Sequence, residues 1–279
     1  MRKLLGLALG IVCCSALLTA QSAEELVAKN AQAKGGMDKI KAIKSLRMLG
    51  TLQQQGFRAQ VGQDAAAPDL LRQTFSVQGM TGIQAFDGKT GWQISPFQGR
   101  RDPELLGEDD LRELIEEADF YGPLIDYQQK GNTISSLGRD TLDGDDVYRL
   151  KVTLKNGDII YYYLDPDTFL EIRTDKQQFI RGAVRETVSD LGSYKEVNGV
   201  YFPFSIESGP KGDPNSRSKV TVEKMEANVD IPKTEFQMPS APATPSVQQH
   251  PEPPAQGAKT PKGPPPQKPP AGSKPPAQP

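Results

Sequence analysis

Two kinds of hydrophobic spacing divide the chain. Between Glu24 and Ile43, Leu26, Val27, Ala31, Met37, Ile40 and Ile43 recur at helical intervals, and Gly35-Gly36 splits the stretch into two helices. From Leu46 onward the pattern shortens to apolar alternations separated by turn signals, which predicts an antiparallel sheet. Strands are expected at Ile83–Phe86, Trp92–Ser95, Val147–Leu154, Ile159–Leu164, Phe169–Thr174, Val184–Leu191, Val200–Ile206 and Lys219–Met225. Asp87-Gly88, Asn156-Gly157 and Asn198-Gly199 supply the positive φ angles of tight turns, and Asp165-Pro166-Asp167 presets another. One helical insertion, Pro103 to Tyr121, interrupts the strands, with Leu105, Leu106, Leu111, Leu114, Ile115 and Ala118 as its apolar face. The hairpin spacing excludes a doubly wound parallel sheet, so the fold class is mainly β (α+β).

The strand faces carry a second signal. Val147–Leu154 alternates cleanly, with Tyr148, Leu150, Val152 and Leu154 on one side and Arg149, Lys151 and Thr153 on the other. Ile159-Ile160-Tyr161-Tyr162-Tyr163-Leu164 is apolar or aromatic on both sides, as is Val200–Phe204. Such strands have a helix on one face and core on the other, or one face lining a cavity. Aromatic residues Phe75, Phe86, Trp92, Phe97, Phe120 and Phe169 are scattered around them.

Composition narrows the chemistry. The chain has 279 residues, one His and two Cys. Both cysteines, Cys13 and Cys14, lie in an apolar N-terminal run, and His250 lies in a proline-rich tail. A Ser-His-Asp triad, a Cys nucleophile, a Cys/His zinc cluster and a disulfide scaffold are thereby excluded from the body, which reads as a non-enzyme without a cofactor or metal. Glu104, Glu108, Asp109 and Asp110 form a solvated acidic face that suits a helix N-terminus.

Residues 1–23 read as a secretory signal, Arg2 and Lys3 preceding the apolar run Leu4–Leu18. A lesser alternative is lipid anchoring at Cys14. Of the 24 prolines, fifteen lie in residues 239–279, a segment without Leu, Ile, Phe, Tyr or Trp and hence expected to be disordered. Residues 24–238 form one domain. This body is acidic, which argues against nucleic-acid partners, and a monomer is expected.

One hairpin, Ala85-Phe86-Asp87-Gly88-Lys89-Thr90-Gly91-Trp92-Gln93-Ile94-Ser95-Pro96-Phe97, resembles the corresponding hairpin of the periplasmic outer-membrane lipoprotein carriers, the LolA-like family. Pro68–Phe75, Tyr162–Ile172 and Phe236-x-Met238-Pro239 are similar to other segments of lipoprotein-sorting proteins. The resemblance implies a curved antiparallel half-barrel of about eleven strands, closed on its concave side by helices, whose cavity shields the acyl chains of lipoproteins or other lipids in the periplasm during transport to the outer membrane. Inner- or outer-membrane lipoprotein machinery would be the protein partner. Cavity candidates are Phe75, Phe86, Trp92, Ile94, Phe97, Leu114, Tyr161, Tyr163 and Phe169, and the helices at Glu24–Ile43 and Leu105–Ala118 would be mobile lids. The carriers have a lid-holding arginine before the matched proline, where this chain has Ala67, so Arg47 and Arg72 are candidates for lid contacts. The alternative is a non-transporting envelope sensor or assembly module of the same fold, with a filled core and a partner-binding tail.

Overall fold

The computed structural model describes residues 21–180 and 182–240. Residues 1–20 of the predicted signal, Cys14 among them, and the tail beyond Ser240 lie outside the described residues. The last residues assigned to the signal are inside, and they begin a helix. Ser22 accepts a hydrogen bond from the Glu25 amide (3.1 Å), capping α1 (Ala23–Ala33), and Ala23 is buried.

After α1, Gly35 and Gly36 take positive φ and the chain restarts as α2 (Met37–Ala42). A meander follows: β1 (Ser45–Gln54), β2 (Phe57–Ala66), β3 (Leu70–Val77), β4 (Met80–Asp87), β5 (Gly91–Ser95), and, past a short turn at Pro96–Gln98, β6 (Arg100–Leu105). Helix α3 (Glu108–Glu117) leads to a second meander of β7 (Thr133–Leu142), β8 (Asp145–Thr153), β9 (Ile159–Leu164), β10 (Glu171–Ile180) and β11 (Ala183–Gly192). A small hairpin, β12 (Lys195–Val197) and β13 (Val200–Phe202), precedes β14 (Ser205–Pro210) and β15 (Ser218–Ala227).

These strands make one curved, open antiparallel sheet of thirteen strands in the order β6-β5-β4-β3-β2-β1-β15-β14-β11-β10-β9-β8-β7, with β12–β13 apart. It is the expected half-barrel, with more strands than the eleven the resemblance implied. The first meander runs from the sheet centre to one edge and the second starts at the other edge and works back, so β15 closes on β1. Residues 106–132 must therefore cross from edge to edge, and they do so over the concave side, carrying α3 with them.

Three expected elements shift, each for a local reason. Pro103, Glu104 and Leu105 belong to edge strand β6, where proline's missing N–H is tolerated, and the helix begins only after Gly107; Leu105 is 64% exposed. Phe169 sits in a turn at φ 58° and precedes β10. The predicted strand Val200–Ile206 is cut at Pro203, with β13 on one side in the small hairpin and β14 on the other in the main sheet.

Under α1 the concave face is a dry core. Leu26 and Val27 pack on Tyr148, Leu150 and Val152 of β8 and on Ile160, Tyr162 and Leu164 of β9, and Leu26, Leu150, Val152 and Leu164 are fully buried. Each such side chain contributes roughly 1.5–3 kcal/mol. Asn30 donates to the Phe169 carbonyl (2.9 Å), so α1 is fixed by core contacts rather than standing as a loosely held lid. Beyond it, Ala31, Ile40, Ile43, Ile125 and Val200 fill the end of the concavity where β1 begins.

Candidate functional site

Antiparallel partners share a face, so the register assigns every strand residue to the concave or the convex side. A Cβ on Gly91 would meet Leu111 Cδ1 at 2.5 Å, so this position faces α3 and lies in close contact with it. Leu71 of β3 and Phe86 of β4 pair across from each other on the same side and pack against Leu114 and Ala118 of α3. The neighbouring residues, Trp92 included, point the other way.

Helix α3 spans the concave face as a strap. On one side Gln73 Nε2 donates to Glu117 Oε2 (2.9 Å). On the other, Glu116 takes Lys176 Nζ at 2.6 Å and Asn156 Nδ2 at 2.6 Å, while Arg112 donates to the Phe179 carbonyl (2.8 Å) and lies 3.6 Å from Asp158. Burial, and Asp158 beside it, push the Glu116 carboxyl above the usual carboxylate range despite Lys176. Burial likewise raises Glu117, although water entering the cleft reaches it and limits the effect.

Glu117 borders two chambers on the concave side. The first, about 670 Å³, lies over β1–β5 and is walled by Met48, Val61, Phe75, Phe97, Ile206 and Val220. The second, about 890 Å³, lies over β9–β11 and β14, and its floor is polar: Thr174, Lys176, Gln178, Thr187, Ser189 and Ser208. Both volumes suit a lipid-sized ligand.

Of the residues named from sequence, Phe75 and Phe97 meet in the first chamber, their rings 5.6 Å apart edge to face, with Phe57 stacked 6.0 Å beyond Phe75 at the rim. Phe86 is buried beneath α3, against Leu114 on the helix's inner face. Phe169 stacks on Tyr148 (5.7 Å) in the α1 core, under the Lys29 ammonium. Ile94 borders the first chamber, but from a position whose side chain belongs to the convex face.

The rest are elsewhere. Trp92, 2% exposed, is on the convex face, where its indole N–H donates to the Phe236 carbonyl (2.8 Å) of the segment after β15. Tyr161 and Tyr163 are also convex, with the Arg149 guanidinium 4.7 and 5.3 Å from their ring centres. This solves the two-faced strand: α1 covers Ile160, Tyr162 and Leu164, and a cation on an apolar stem covers the other side. Arg47 and Arg72 share the convex row Arg47–Asp64–Arg72–Ala85–Trp92 across β1–β5. Arg47 bonds Asp64 (2.7 Å), which raises its pKa, and neither arginine is on the side of the helices.

Sequence reasoning missed the glutamines. β2, β3, β4 and β5 each turn one into the first chamber, Gln63, Gln73, Gln84 and Gln93, in direct register. Their recurrence on four successive strands, at alternation positions opposite to Arg72 and Trp92, was the available signal.

No protein-family model matches the sequence, and no curated protein matches it significantly. Solved structures do resemble it. A LolA superfamily protein from Nitrosomonas europaea has a TM-score of 0.54 at 12% identity, covering 78% of this chain and 98% of that one. A DUF1329 family protein from Desulfovibrio piger has 0.55 at 11%, covering 77% and 97%. A domain from Vibrio parahaemolyticus described as an outer membrane lipoprotein-sorting protein has 0.51 at 9%, covering 75% and 97%.

Proposed function

We propose that this chain, whose fold is LolA-like, is an exported, non-enzymatic carrier that shields acyl chains of lipids or lipoproteins in the cleft between its sheet and α3 while they cross the periplasm towards the outer membrane. The observation that carries the reading is the first chamber: about 670 Å³ on the concave side, walled by Met48, Val61, Phe75, Phe97, Ile206 and Val220. Withdrawing an acyl chain from water there stabilises the complex by about 0.8 kcal/mol per CH₂ and requires no titrating group.

In this reading α3 is the moving element, because its strap to β9 and β10 is made of ion pairs and amide hydrogen bonds that water can replace. α1 stays fixed. Residues 24–238 supply the binding domain, 239–279 a tether, and protein partners would be lipoprotein machinery of the inner or outer membrane.

The test is native mass spectrometry of the mature protein purified from cell envelope without detergent, followed by extraction of whatever is bound. Near-stoichiometric acylated species are expected. A mass that is ligand-free and stays so when lipids are offered moves the reading to a non-transporting sensor or assembly module, for which the α1-filled half of the concave face is the supporting feature.

A further inference from the structure

Acyl shielding alone leaves the glutamine row unexplained, since an apolar pouch has no use for four inward amides. The row is a continuous stripe: Gln63 stands opposite Gln73, Gln73 opposite Gln84, and Gln84 opposite Gln93. One inward position away along the same strands are Val61, Phe75 and Gly82, with Phe97 laid over Gly82. The chamber is therefore apolar along one stripe and amide-lined along the next.

The amides are unequally used. Gln73 donates to Glu117 (2.9 Å) and Gln93 to Glu104 (2.9 Å). Gln84 reaches Gln93 only at 3.5 Å, and the Gln63 side-chain amide has no hydrogen-bond partner among the described residues. Gln63 and Gln84 thus offer donors and acceptors to whatever enters. Among the described residues lining this chamber Glu117 is the one charged group. A carboxylate or phosphate head placed here would lose hydration and face a carboxylate, and the cation beside the row, Arg100, is already paired with Glu104. An uncharged head with both donors and acceptors would satisfy the amides and leave Glu117 solvated or accepting a hydrogen bond.

We propose that Gln63, Gln73, Gln84 and Gln93, with Glu117 above them, form a head-group subsite that selects amphiphiles with an uncharged hydroxyl- or amide-bearing head over amphiphiles headed by carboxylate or phosphate. The inference rests on the acyl-binding reading of the same cleft and names the specificity that reading lacks.

Four probes of one chain length test it on the full mature chain, titrated below their aggregation concentrations at about pH 8: N-lauroyl ethanolamine, monolauroyl glycerol, laurate and dodecyl phosphate. The two uncharged probes are expected to bind about ten-fold or more tightly than the two anions, the scale of one or two net hydrogen bonds. The double variant Gln63→Leu/Gln84→Leu should weaken the two uncharged probes about ten-fold, while Glu117 keeps the two anions disfavoured. Glu117→Gln should improve laurate and dodecyl phosphate about ten-fold relative to the uncharged probes. Circular dichroism melts verify that each variant is folded. Equal affinity for all four probes in the native chain overturns the subsite and leaves the carrier reading standing. Failure of all four to bind overturns both. Uncharged-probe affinities that are unchanged in Gln63→Leu/Gln84→Leu overturn the assignment to this row.

Discussion

The two halves of the concave face are built from the same sheet with the same alternation, yet they end in opposite states. Over β8 and β9 the inward positions are Leu150, Val152, Ile160, Tyr162 and Leu164, and α1 lies on them to make a buried core that the second chamber borders only at its edge, at Ile160 and Tyr162. Over β2–β5 the inward positions include Gln63, Gln73, Gln84 and Gln93, and α3 covers only the row of Leu71 and Phe86 beyond them. An amide row gives a helix no apolar surface to bury, so the helix settles on the next row and the chamber stays open. One side-chain type per strand decides between core and cavity.

The sharpest break of this comparison is a pair of truncations. Leu150→Ala, at a fully buried site beneath α1, is expected to cost about 3 kcal/mol, whereas Gln84→Ala, in the open chamber, should stay within about 0.5 kcal/mol. Equal costs by urea unfolding would show that the two halves are packed alike.

Next in size is Trp92, which separates the concave chamber from the convex face behind it. Trp92→Phe should lose about 1–2 kcal/mol, because the Phe236 carbonyl is left unpaired in a buried site, while lipid affinity stays unchanged. A variant of native stability that binds lipid poorly would return Trp92 to the cavity wall.

The smallest effect compares the carboxylates. Burial works against ionised Glu171, but the Lys34 ammonium at 3.1 Å, together with hydrogen bonds from the backbone and Asn30, outweighs it and holds the carboxyl below its ordinary 4.5. Its stabilisation is present above pH 4.5 and is lost as pH falls through the lower folded value. Glu117 is raised, chiefly by desolvation in the cleft and only as far as its exposure to water allows, so the native state weakens slightly as pH climbs from 4.5 through the higher folded value. Melts over this range should show Glu171→Gln less stable than the native chain above pH 4.5 and converging with it in acid. Glu117→Gln should be level with the native chain in acid and more stable above. Two parallel curves would deny the difference between buried and open halves.

Much of the scaffold is legible in the residues. Gly35-Gly36 splits the first helix and Asn198-Gly199 closes β12–β13 where expected. Other hairpins were harder to read because their tips, Gln55-Gly56 and Gln78-Gly79, take positive φ at a glutamine, which is not a habitual turn residue. The site was less legible. Aromatic residues are conspicuous in sequence, but Trp92, Tyr161 and Tyr163 went to the convex face and only Phe75 and Phe97 to the chamber.

By itself the sequence determined the two helices before the sheet, the antiparallel meander and the absence of His and Cys chemistry from the body, because periodicity, turn residues and composition are local properties of the chain. Only the tertiary structure decided which face of each strand is inside. That choice depends on register between strands and on the path of residues 106–132 and 228–240, which lay α3 over one side and Phe236 over the other. Alternation reports that two faces differ; it takes a helix crossing from edge to edge to say which of them becomes the cleft.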